Sequence, residues 1–85
     1  MSEALVFRFE VDGEDFTSAG QASVQIKKNL RQLGINPETI RRVSIAMYEG
    51  EINMVIHAGG GEATVRVNEE YIEIVTGYYR EYLNG

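Results

Sequence analysis

Three polar side chains recur every four residues near the middle of the chain: Glu49, Asn53 and His57. On a helix that spacing stacks them on one face, one turn above another. A carboxylate and a carboxamide one turn apart can do a specific job. The amide oxygen can ligate Mg²⁺ beside a phosphate, while the acid orients or deprotonates an attacking water. The spacing also fits the solvated stripe that amphipathic helices ordinarily carry. What sets this stretch apart is the number of apolar residues around all three. Gly59-Gly60-Gly61 follows directly. Glycine runs that bind phosphate precede a helix and use its positive N-terminus. A run placed after a helix reads instead as its stop signal.

The element that must carry these residues starts at Asn36-Pro37-Glu38. Asn is a favoured N-cap, Pro fits the first helical position, and Glu38 complements the positive helix end. From Pro37 to about His57 the only breaker is Gly50. Ile40, Val43, Met47 and Met54 form one stripe, and Ile45, Ile52 and Ile56 extend it to a second side. Such a pattern predicts a central, buried helix. An earlier helix carries Ala19, Ala22, Ile26, Leu30 and Leu33 at spacings of three and four. Thr17 or Ser18 can cap it, and Gly34 can end it with Ile35 folding back onto Leu30.

Strands flank the helices. Leu5, Phe7, Phe9 and Val11 alternate with Val6, Arg8, Glu10 and Asp12, the period of a half-buried strand. Ala63, Val65 and Val67 alternate in the same way, as do Ile72 and Ile74 after the polar turn Asn68-Glu69-Glu70, so residues 63–75 read as a hairpin. The tail from Tyr78 to Leu83 fits either a strand or one helical turn. The expected architecture is α+β: a three-stranded, mainly antiparallel sheet in the order β-α-α-β-β, with two helices on one face.

Eighty-five residues allow one small domain, spanning 1–85. Hydrophobic residues at 44% and charged residues at 25% are globular proportions, which exclude wholesale disorder. With no cysteine and one histidine, disulfides, thiolate metal sites and sites needing two imidazoles are excluded. Thirteen acids against eight bases give a net charge of −5, which repels phosphate backbones and argues against nucleic acid as a partner. Met1-Ser2-Glu3 lacks the basic start of a signal peptide, and the longest mostly apolar stretch, 52–58, is too short to span a bilayer. These features predict a cytoplasmic protein without a membrane partner.

The stretch from Arg41 to Gly60, with its Glu49-x-x-x-Asn53-x-x-x-His57-Ala58 pattern, resembles the N-box helix of GHKL (Bergerat-fold) ATPases. It is most similar to the small anti-sigma-factor serine kinases of that superfamily. The run Leu-x-x-Leu-Gly-Ile-x-Pro-Glu from Leu30 to Glu38, and the strand and helix before it, fit the same branch. The resemblance covers about residues 4–75. It implies an ATP site with Mg²⁺, in which Glu49 is the catalytic acid acting as general base and Asn53 the magnesium-binding amide. It also implies that His57, Gly59 and Gly60 lie at the end of that helix near the phosphates. In this branch the kinases phosphorylate an anti-anti-sigma partner on serine, so the implied partners are a sigma factor or an anti-anti-sigma factor.

In the family the strand matching Tyr71–Val75 runs into an Asp-x-Gly-x-Gly box that reads adenine. Here Val75 is followed by Thr76-Gly77-Tyr78-Tyr79-Arg80, and the only aspartates are Asp12 and Asp15. The chain is therefore expected to be the N-terminal half of such a domain, truncated before the lid, with a divergent aromatic tail at 76–85. The expected function is a regulatory protein-binding module with weak or no nucleotide binding, and no kinase activity of its own. The alternative is a ligand-free structural or engineered half-domain in which the polar stripe is inherited and idle. Either form leaves an unpaired sheet edge or apolar face, which predicts a homodimer.

Overall fold

The computed structural model describes residues 4–14, 19–77 and 79–84, with only the backbone described at Tyr79 and Asn84. Strand β1 (Leu5–Asp12) is followed by helices α1 (Gln21–Gln32) and α2 (Pro37–Asn53), and a π-turn (Met54–Ala58) continues α2. Strands β2 (Gly60–Val67), β3 (Tyr71–Thr76) and β4 (Tyr79–Asn84) complete the chain. The α+β class is as the alternation predicted. Among the described residues the sheet, however, has four strands rather than three, in the order β1-β2-β3-β4, and every neighbouring pair is antiparallel. The fourth strand is the tail. Gly77, at φ 62°, begins the reversal that pairs Thr76 with Tyr79 and Ile72 with Leu83.

Both helices lie on one face of this sheet. Ala63, Val65, Ile72, Ile74 and Leu83 point from the sheet into the same core as Ile26, Leu30, Val43 and Met47 from the helices. Period two on the strands and period 3.6 on the helices thus converge on a single apolar layer. The sheet's other face carries Arg66, Glu73 and Arg80. Glu73 sits between the two guanidiniums, 3.7 Å from Arg66 Nε and 3.4 Å from Arg80 Nε.

Local signals account for the helix ends. The N–H of Gly34 donates to the Arg31 carbonyl and that of Ile35 to the Leu30 carbonyl, with Gly34 at φ 75°. This is the Schellman closure, and Ile35 packs against the core as expected. Asn36 Oδ1 accepts from the Glu38 N–H at 2.8 Å, and Pro37 takes the first helical position. Two expectations need correction. Ile45 and Ile56 are about half exposed, at 48% and 58%. Helix α2 therefore buries one face against the sheet and does not run through the centre of the core. The proposed caps Thr17 and Ser18 lie outside the described residues, and α1 starts at Gln21 with Gly20 before it in a left-handed conformation.

Candidate functional site

Glu49 and Asn53 come together. Both line an open cleft of about 400 Å³ on the side of α2 that overhangs β3 and β4. Thr76 of β3 and Arg80 and Glu81 of β4 complete its wall. The helix can approach this closely because residue 50 is glycine. A Cβ there would lie 2.5 Å from the Thr76 hydroxyl oxygen and 2.7 Å from its Cβ. Both Gly50 and Thr76 are buried at this contact. One missing side chain on α2 thus sets the width of the cleft that its neighbours line.

His57 does not join them. The helix widens after Asn53 into a π-turn, closed by the Gly59 N–H donating to the Met54 carbonyl five residues back. A wider turn changes the angle through which each residue advances, so the four-residue spacing that aligns Glu49 with Asn53 no longer holds beyond Asn53. His57 is exposed and lies outside the cleft lining. Gly59, at φ 68°, terminates the helix, and Gly60 opens β2 opposite Asp12. A Cβ on Gly60 would press on the backbone of Val11 and Gly13. These glycines turn the chain and let two backbones meet, and neither lines the cleft.

The donor set fits a hard cation in part. Asn53 offers an amide oxygen and Glu49 a carboxylate, as Mg²⁺ prefers. Among the described residues no group of three or more His, Cys, Asp or Glu is placed to hold a metal. Phosphate oxygens and water would have to supply the remaining ligands. The electrostatics suit a triphosphate less well. Glu81 adds a second carboxylate beside Glu49, while Arg80, the one cation among the described lining residues, is drawn toward Glu73 on the outer face. Among the described residues the lining contains no aspartate and a single glycine, Gly50.

The most constrained carboxylate among the described residues is one that the motif reading passes over. Glu51 is 2% exposed. Its Oε2 accepts from the N–H groups of Gly20 at 2.9 Å and Ala22 at 3.2 Å, and its Oε1 accepts from the Ser23 N–H at 2.9 Å. These are the orphan donors at the start of α1, which has no side-chain cap from its own N-cap residue. A carboxylate from α2 thus caps α1, and the positive helix end stabilises its charge. Ser23 Oγ donates to the Gly20 carbonyl at 2.8 Å and closes the same turn. Position 51 falls between Met47 and Met54 on the buried stripe. An acid at such a position is the signal that could have identified it.

Among the described residues, no helix is long and apolar enough to cross a membrane. Compared with protein-family models, curated proteins and solved structures, the chain matches none.

Proposed function

We propose that this chain is a regulatory, protein-binding module related to the GHKL anti-sigma-factor serine kinases, with residual or no affinity for ATP and no phosphoryl transfer by itself. The observation that carries the reading is the joint placement of Glu49 and Asn53 on one cleft, beneath which β3 leads into a strand without an Asp-x-Gly-x-Gly box. The metal-side pair is present without a reader for adenine. The partner is a protein of the sigma or anti-anti-sigma kind, met by a homodimer of this chain in the cytoplasm. Glu81 favours a second reading, the ligand-free one, because two carboxylates in one small cleft repel a polyphosphate.

Calorimetry with ATP and Mg²⁺ tests the nucleotide side. The expected result is a Kd weaker than about 1 mM, a binding free energy short of about −4 kcal/mol. Low-micromolar binding that Asn53→Ala abolishes would overturn the proposal and restore an ATP-dependent enzyme.

A further inference from the structure

Strand β1 is an edge of the sheet, and its only sheet neighbour among the described residues is β2. It runs for eight residues without proline, glycine or bulge, and carries three charges. Edges of this length are usually blunted, since a free row of N–H and C=O groups recruits another strand. Its core-side residues are also poorly covered. Phe7, Phe9 and Val11 are only half-buried, whereas Val65 and Ala63, which face Phe7 and Phe9 on β2, are fully buried. An open groove of about 920 Å³ runs between Phe9 and the start of α1, with Tyr48 on its wall.

The charges on the outer face of β1 are unmatched among the described residues. In register, Arg8 faces Thr64, and Glu10 faces Glu62, a like-charge pair directly across the sheet. Such a pair is destabilising. Neither Arg8 nor Glu10 forms an ion pair with any described residue. The sequence Phe7-Arg8-Phe9-Glu10-Val11 is nevertheless self-complementary about Phe9. If two copies pair antiparallel around a twofold axis at Phe9, Arg8 of each lies opposite Glu10 of the other. Phe7 then lies opposite Val11, and Phe9 opposite itself. Residues directly opposite in an antiparallel pair point to the same face. The charges therefore meet on the outer face and the apolar residues on the core side. Moving the axis by one residue would set Arg8 against Arg8 or Glu10 against Glu10, so charge fixes the register.

We infer that β1 is the interface through which this chain pairs with a second copy of itself, antiparallel and centred on Phe9, giving one eight-stranded sheet with all four helices on the same side. The interface is isologous and closes after two chains. It supplies Glu10 with a cation across the interface, and carries the sheet's core side onward past Phe9. The inference rests on the self-association proposed above and adds the strand, the register and the charge pairs.

Sedimentation equilibrium of the full chain tests both levels. The wild type is expected at twice the 9.5 kDa chain mass. Arg8→Glu places two carboxylates opposite each other at both pairs, and Glu10→Arg places two guanidiniums there. Each is expected to weaken dimerisation by about tenfold or more. In an equimolar mixture of the two single variants the heterodimer sets a strand acidic at both positions against one basic at both, so opposite charges meet at both pairs. The double variant Arg8→Glu/Glu10→Arg likewise restores opposite charges at both pairs. Both should dimerise like the wild type. Circular dichroism of each variant separates lost pairing from lost folding, and the mixture reports on pairing even where a single variant is weakened. A wild type that stays monomeric at millimolar concentration sinks self-association altogether. A dimer that is unaffected by Arg8→Glu, or single variants that neither mixing nor the double change rescues, overturns the β1 register alone. Masses that grow beyond two chains overturn the closed pairing.

Discussion

Removing the Glu51 carboxylate should cost this protein much of its stability. The side chain is 2% exposed and accepts three backbone N–H donors at 2.9–3.2 Å. Glu51→Ala leaves those donors in a pocket walled by α1 and α2. Each buried donor left without a partner costs about 1–3 kcal/mol. Water entering the vacated space would satisfy some of them, so a loss of about 3–5 kcal/mol is expected. The whole domain is stable by about 4–13 kcal/mol on the usual per-residue scale. The variant should therefore sit near the edge of folding. Glu51→Gln keeps one oxygen but turns an NH₂ toward an N–H donor and loses the charge at the helix end. Its cost should be smaller, about 1–2 kcal/mol. Urea unfolding followed by circular dichroism gives both values, and hydrogen exchange at Gly20, Ala22 and Ser23 shows where protection is lost. If Glu51→Ala unfolds within about 0.5 kcal/mol of the parent, or Glu51→Gln is the worse of the two, the capping argument is wrong.

Other substitutions probe the cleft. Gly50→Ala gains about 1 kcal/mol of helix propensity but drives a methyl into Thr76, so a net loss of about 1–2 kcal/mol is expected in the same unfolding assay. A more stable variant would show that α2 and β3 are not held at this spacing. Glu49→Ala should change stability by no more than about 0.5 kcal/mol, because the residue is exposed and makes no hydrogen bond or ion pair with any described residue. A loss above about 1.5 kcal/mol would reveal a structural role for it. Asn36→Ala removes the cap on the Glu38 N–H and should cost about 1 kcal/mol, seen as a lower urea midpoint at an unchanged slope.

Legibility of the fold followed the range of the interactions. Signals that act within a few residues were readable: Gly34-Ile35 closing α1, Asn36-Pro37 opening α2, and Asn68 Oδ1 accepting from the N–H groups of Glu70 and Tyr71 in the β2–β3 turn. The Glu49–Asn53 pair was readable for the same reason, since both lie within one regular helix. The tail was not. On β4 Leu83 is buried, while Glu81 faces the cleft and Arg80 and Tyr82 are exposed. An edge strand of that kind shows no apolar alternation. Glu51 was hidden because its partners lie 28–31 residues upstream. His57 was misplaced because nothing in the residues after Asn53 announces a wider turn. Ile45 and Ile56 suggested a buried helix because apolar content, unlike tertiary position, is all that a one-dimensional pattern reports.

The π-turn at Met54–Ala58 has an evolutionary and an engineering reading. A loop closed from residue i to i+5 holds one residue more than the α-helical loop it replaces. The segment thus stores a spare residue just before the helix stop, with Gly59 held in place by its hydrogen bond to Met54. Shortening the chain by one position there would let the helix tighten without moving Gly60 away from Asp12. The same deletion in the middle of α2 would rotate everything downstream by roughly 100° and dismantle the core.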